Sequence, residues 1–361
     1  MQRTGIANLP LHSGRAPRWL FSRMVKLSKE ISIAIVDEYG QEEFLRRISD
    51  PFWFQAFGNV LGFDWHSSGV TTTVCGALKT ADISEIGIKV CGGKGRFSKK
   101  AITEIENSGI SENKAKKLTY ASKMAAKVDS ALVQDNYNLY HHSFLFSEKG
   151  EWCVVQQGMN NKNNFARRYH WLSSNVKSFV ETPHNAICCN AKAKNVLDMT
   201  SRESDEARKV SVDLVNDNPV HLRKFFTKQT TLYEFSNFKI LTMPPHHPIF
   251  CSEMSEKIIS SLKKAYEIQP KNYEELVAIK GIGQKAVRAL ALVSEIIYGK
   301  PASWEDPVKY SFAHGGKDGF PYPVDKENYD NTILTLKSAI ENAKIGDKDK
   351  INAIKRLNAF I

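Results

Sequence analysis

The chain has 361 residues, a formal charge of +11 from 50 Lys and Arg against 39 Asp and Glu, and 42% hydrophobic residues. That length suits two or three domains and that apolar content a sizeable core, which excludes a chain disordered over a long run. No apolar run approaches the roughly 18 residues of a bilayer span, the first residues lack the apolar stretch of a signal peptide, and the six cysteines form no C-x-x-C pair; a reduced, cytoplasmic protein with a polyanionic partner is expected, and no membrane.

Residues 1–26 contain Arg3, Arg15, Arg18, Arg23 and Lys26 and no acid, and begin as an irregular arm. A helix is expected from about Pro17 to Arg47, broken by Asp50-Pro51. Phe52, Trp53, Phe54, Phe57, Phe63 and Trp65 then supply large apolar area for a core. Residues 64–69 read as a loop before another helix. Ile86 to Cys91 reads as a strand, followed by the glycine-rich, basic run from Gly92 to Lys100. That run lacks the spacing of a phosphate-loop NTPase, but Lys94 and Arg96 make it a candidate phosphate contact.

Residues 111–134 form a basic helix with Lys114, Lys116, Lys117, Lys123 and Lys127. Leu139–Phe146 and Trp152–Gln157 read as a β-hairpin, rich in aromatic and β-branched residues on both sides of a Lys-Gly turn. Short strands are expected near Ala186–Cys189 and Phe238–Met243. The run from Met243 to Pro248 punctuates the chain. Helices follow from Ser252 to Gly299, then a glycine- and proline-rich loop from Ala313 to Val324 and a last helix pair from about Tyr329.

The most informative stretch is 272–299. Asn272 can cap a short helix whose first turn holds Glu274 and Glu275. Gly281-Ile282-Gly283 gives a tight turn, and Gln284-Lys285 starts a second helix ended by Gly299. This is the layout of a helix-hairpin-helix, a module that grips a nucleic-acid backbone without reading sequence. Both glycines are expected at φ > 0, with bare N–H groups turned to a phosphate. The second helix adds its unpaired first-turn N–H groups and the positive end of its dipole. Lys280, Lys285 and Arg288 add charge, while Ile282 plugs the hairpin.

Three constellations could carry chemistry. In layout, His141 and His142 on one strand and Gly158-Met159-Asn160 at the end of the next resemble half of a phospholipase D-type nuclease site. That chemistry needs a histidine nucleophile and a lysine two residues on, where this chain has Ser143 and Phe144. Lys285 stands where glycosylases of the helix-hairpin-helix class place a Schiff-base lysine, with Asp306 as the matching carboxylate, although Asp306 lies farther along than the usual spacing. Arg167, Arg168 and His170 beside Tyr169 and Trp171, with His184 farther on, could stack on a base or clamp a phosphate. Asp129, Asp135, Glu148 and Glu151 could hold a divalent metal ion for phosphodiester cleavage. No spacing singles out a set, so the cofactor is unknown, with a divalent metal ion as the candidate.

Several strings resemble one family over nearly the whole chain: Arg3-Thr4-Gly5-Ile6-Ala7, Gly69-Val70-Thr71-Thr72-Thr73, Leu139-Tyr140-His141-His142, Gln156-Gln157-Gly158-Met159-Asn160, Ala166 to Trp171, and Phe312 to Gly319. It is the domain of unknown function 763 family, found largely in archaea and some thermophilic bacteria, and the resemblance implies no reaction. The fold class expected is α+β: a mixed domain with a small sheet over 1–250, a helix-hairpin-helix module over 251–300, and an extension over 301–361 packed back on that module. The function expected is DNA binding in DNA repair or processing, with a nuclease or related active site in the first domain. The alternatives are a non-catalytic nucleic-acid-binding or scaffold protein, and a glycosylase-lyase using Lys285. RNA stays open as a ligand.

Overall fold

The computed structural model describes residues 11, 16–63, 68–189, 193–217, 256–308 and 326–360. The expected strand at 238–243, the Pro-His punctuation at 243–248, the loop at 313–324 and most of the N-terminal arm lie outside these residues.

Helix α1 (Arg18–Ser49) is broken at Gly40, which sits at φ 87. Asp50 ends it and caps α2 (Pro51–Val60), its carboxylate accepting from the N–H groups of Phe52 and Trp53 at 2.8 and 3.1 Å. Pro51 at the first helical position needs no N–H partner, so Asp-Pro here separates two helices rather than opening a loop. The aromatic run on α2 is buried almost all round, and α3 (Gly69–Ala81) packs beside it.

Strand β1 (Ile88–Lys94) leads through a 3-10 turn (Gly95–Lys100) into α4 (Ala101–Glu106) and α5 (Glu112–Ala131). After the short β2 (Val133–Gln134) come β3 (Asn138–Ser147), β4 (Trp152–Asn160), β5 (Phe165–Leu172) and β6 (Ala186–Cys188). They form an antiparallel sheet in the order β1-β3-β4-β5-β6, while β2 pairs with β7 (Leu197–Asp198). The remaining helices are α6 (Asp205–Asn216), α7 (Glu256–Ile268), α8 (Tyr273–Ala278), α9 (Gln284–Tyr298), α10 (Lys326–Asn342) and α11 (Asp347–Phe360). The class is α+β.

Helices cover both faces of the sheet. On one face Phe144, Phe146, Trp152, Val154 and Trp171 share a core with α4 through α9. On the other, Leu145, Cys153, Val155 and Leu172 share a second core with α1, α2, α3, α10 and α11. The helical hairpin therefore shares its apolar interior with the sheet. The C-terminal helices do not pack back on that hairpin as expected. Leu336, Ile340 and Leu357 join the α1–α3 core, and Arg356 Nε donates to Val60 O at 2.8 Å. Their apolar stripes match the surface left open by α1 and α2.

Candidate nucleic-acid interface

The bend between α8 and α9 begins from a well-capped helix. Asn272 Oδ1 accepts the Glu275 N–H at 2.9 Å, and Glu275 in turn accepts from the Lys271 N–H at 2.8 Å. The carboxylates of Glu274 and Glu275 also suit the positive end of the α8 dipole. The chain leaves the helix at Ile279 and turns through Gly281, at φ 106. Ile282 drops into the core at 1% exposure. Lys280, Gly281, Gln284 and Lys285 are exposed, and Gly283 and Arg288 are half-buried.

The two glycines differ. A Cβ on Gly281 would run into the Ser261 side chain of α7. Gly283 instead caps α9 in extended backbone, at φ −122 and ψ −169, and a Cβ there would meet nothing within 4 Å. The expectation of positive φ thus holds for Gly281 alone. Gly283 leaves the first-turn N–H groups of α9 open, because no side chain caps that helix.

Hydrogen bonds fix the bend to the sheet domain. Lys127 Nζ donates to Ile279 O at 3.2 Å, Tyr120 Oη to Glu274 Oε1 at 2.8 Å, and Gln134 Nε2 to Gln284 O at 2.8 Å. Burial holds the Lys127 ammonium below the usual lysine range. Arg288 lies over the Trp304 ring at 5.9 Å. Lys116, Lys117, Tyr120 and Lys123 are exposed on α5 and Lys127 is half-buried, so a row of cations leads along this helix toward Lys280.

A second basic surface stands at the β1 edge. Lys94 approaches the Tyr140 ring at 5.9 Å, and Arg96 and Lys100 lie over Phe97 at 5.3 and 5.2 Å. All four of Lys94, Arg96, Phe97 and Lys100 are exposed.

Of the residues put forward for chemistry, Lys285 and Glu148 are exposed and Asn160 and Glu151 half-buried, while the histidines, arginines and aspartates lie inside the protein. His141 pairs with Gln157, and Gln157 sits two strands from the edge opposite Arg168, forming one cross-strand row. His142, Gln156 and Tyr169 form the next row. Adjacent residues of a strand point to opposite faces, so the two histidines are separated by the sheet itself. On the α5 face, His142 bonds Ser122 Oγ at 2.8 Å and Gln156 Oε1 at 2.9 Å. Gln156 Nε2 and Trp171 Nε1 donate to Asp129 Oδ2 at 2.6 and 3.0 Å, and His184 Nε2 meets Asp129 Oδ1 at 2.5 Å. On the other face, His141 meets Ser143 Oγ at 3.0 Å, and Gln157 bonds Thr71, Tyr140 and the Ser68 carbonyl. Burial, with lesser contributions from His142 and Lys94, drives the His141 pKa down to about 3; burial also lowers that of His142.

The adjacent arginines diverge in the same way. Arg167 donates to Asp135 at 2.8 Å and grips both oxygens of Asp306 at 2.9 and 2.7 Å. Asp306 also accepts the Ala193 and Val308 N–H groups at 2.6 and 3.2 Å. Burial works against the charge on Arg167, but Asp135 and Asp306 more than offset it and hold its pKa well above the usual range. Arg168 faces the opposite core, where it donates to Gln55 and Thr71 at 3.1 and 3.3 Å and lies over Phe54; burial lowers it to about 10.

The structure thus joins Arg167 to Asp306, but it brings neither to His141, and it leaves Asp306 committed to an internal clamp. Asn160 ends β4, where its half-exposed side chain accepts the Lys162 N–H at 2.9 Å and shapes the turn to β5. Among the described residues no group of three or more His, Cys, Asp or Glu is placed to hold a metal ion, and no helix is long and apolar enough to cross a membrane. The surface residues that sequence reading left out of the interface are Lys116, Lys117, Tyr120, Lys123 and Lys127. Their outward 3- and 4-residue spacing was the available signal.

A family model described as "Protein of unknown function (DUF763)" matches residues 5–324. No curated protein and no solved structure matches the chain.

Proposed function

The chain belongs to the DUF763 family, whose description assigns no function, and we propose from the geometry of the α8–α9 bend that it is a DNA-binding protein of DNA repair or processing that holds the sugar-phosphate backbone there. One observation carries this reading: an exposed glycine bend, between Lys280 and Lys285, opens onto the uncapped first turn of α9. Backbone N–H groups, a helix dipole and two lysines converge there on whatever occupies it, and a phosphate suits all of them. Backbone N–H groups, a helix dipole and lysine charge engage phosphate and carry no sequence information, so binding is expected to be independent of sequence.

The role proposed is grip rather than catalysis at the histidine pair. His141 and His142 are 1% and 6% exposed and lie on opposite faces of one sheet. Lys285 is exposed, but Asp306, the carboxylate that a glycosylase-lyase would need beside it, is bound to Arg167.

Anisotropy of a labelled duplex titrated with the full chain tests the proposal. Duplexes of unrelated sequence are expected to bind alike, with affinity falling as salt rises by about 0.9 log units per log unit of salt for each phosphate engaged. Lys280→Glu with Lys285→Glu removes two such contacts and lowers that slope by about 2. A wild-type chain that fails to bind any duplex at low salt contradicts the reading, as does a charge-reversed variant that binds unchanged.

A further inference from the structure

Open cavities mark the described surface, and three of them differ in charge. One is lined by Glu42, Glu43 and Glu151 with Arg46 and Lys149, and another by Glu181, Asp205, Asp213, Glu274 and Glu275 with Arg208, Lys209 and Lys271, so each mixes both signs with acids in excess. The third, of about 480 Å³, is lined by Lys116, Lys117, Tyr120, Trp152, Val176 and Phe179 among others, with no carboxylate in its wall. We propose that this third pocket receives an unpaired base of a single-stranded nucleic acid whose backbone lies on the α8–α9 bend. The proposal rests on the backbone-binding reading above and adds the substrate class, a nucleic acid with a single-stranded segment.

The aromatic wall is already assembled. Phe179 lies parallel to Trp152, with centroids 6.0 Å apart and planes 8° apart, and stands edge-on to Tyr120 at 5.6 Å. Glu274 of α8 holds both sides of it. One oxygen accepts from Tyr120 Oη at 2.8 Å and the other from the Phe179 N–H at 3.3 Å. The first helix of the bend therefore sets the pocket in place.

Distance supports a shared ligand. Tyr120 touches Glu274 early in α8, and Lys127 touches Ile279 where the bend begins, so α5 and α8 run side by side in the same direction. Seven residues of helix separate these contacts, about 10 Å of rise, a span that a short stretch of one nucleic-acid strand covers. Lys123 lies between them on the exposed face. Lys116 forms a 2.6 Å pair with Glu112, but both side chains are more than 70% exposed, so water already weakens that pair and a phosphate can replace it. A strand leaving the bend would follow these lysines and deliver a base to the aromatic wall. Stacking tolerates any base but requires one that is not paired, so a closed duplex could use only the bend.

The test compares a single strand carrying 2-aminopurine with its duplex, using the full chain. The single strand is expected to bind more tightly than the duplex, with 2-aminopurine fluorescence quenched on binding. Phe179→Ala is expected to weaken single-strand binding by about tenfold, within the range for loss of one base stack, with duplex affinity unchanged. Lys117→Glu lies at an exposed site where folding is not at stake, and it too should weaken the single strand more than the duplex. Equal wild-type affinities, absence of quenching, or equal losses on both ligands overturn the proposal. Duplex binding with neutral pocket variants removes the pocket alone. Failure to bind either ligand removes the backbone reading and the pocket with it.

Discussion

Arg167 has no exposed side-chain surface, and two carboxylates close on it from different parts of the chain, Asp135 after α5 and Asp306 after α9. Removing Asp306 would leave Arg167 paired with Asp135 alone and take the acceptor from Arg167 Nη2 and from the Ala193 and Val308 N–H groups. Asp306→Ala is therefore expected to cost about 1–3 kcal/mol in denaturant unfolding, the range for buried donors left without an acceptor. A loss below about 1 kcal/mol, the worth of an exposed pair, would mean that Arg167 is not held as described. Histidine burial has a matching pH signature. His141 titrates near 3 when folded and near its ordinary 6.5 when unfolded, so below pH 6.5 the unfolded chain binds the extra proton. Stability is then complete above pH 6.5 and falls as the pH drops toward 3. The loss is about 1.4 kcal/mol per pH unit from this residue, with His142 acting in the same direction. Unfolding measured at pH 7 and pH 5 checks this, and His141→Gln should flatten the difference. None of this was legible in the letters. A histidine or arginine beside Trp and Tyr has the composition of a ligand site, and only the folded sheet shows that each is buried.

The elements separate what pattern conveys from what it hides. The β3–β4 hairpin was readable from its β-branched and aromatic flanks, and α5 from its length and lysines. Strand β5 was read only as a polar cluster, because Ala166 to Leu172 is buried on both faces and so carries no alternation of apolar and polar residues. Its polar side chains are accommodated by Asp135, Asp306, Gln55 and Asp129, which come from elsewhere in the chain. The α8–α9 bend was readable because glycine, cap and helical spacing agree locally, but the roles of its two glycines were not. Gly281→Ala combines a positive φ with a clash at Ser261, and more than about 1 kcal/mol of destabilisation is expected in thermal or chemical unfolding. A neutral result would show that the turn relaxes freely.

Across the whole molecule, the sheet separates two helical layers, and the sequence boundaries drawn at 250 and 300 do not divide the apolar interior. Ile282 and Val287 share a core with Phe144 and Trp171, which fixes the bend on the same layer as the α5 lysines. Long-range packing of this kind has no local signature, which is also why the C-terminal helices were placed on the wrong layer. The central claim is that a phosphate approaches the backbone at Gly283, where an added side chain would meet nothing of the protein itself. Gly283→Val in extended backbone should keep the unfolding midpoint close to wild type while fencing off the N–H groups of α9. The measurement is duplex affinity of that variant at fixed low salt, alongside its melting curve. A folded variant with binding largely lost is the predicted result; a folded variant that binds DNA as the wild type does would contradict the account.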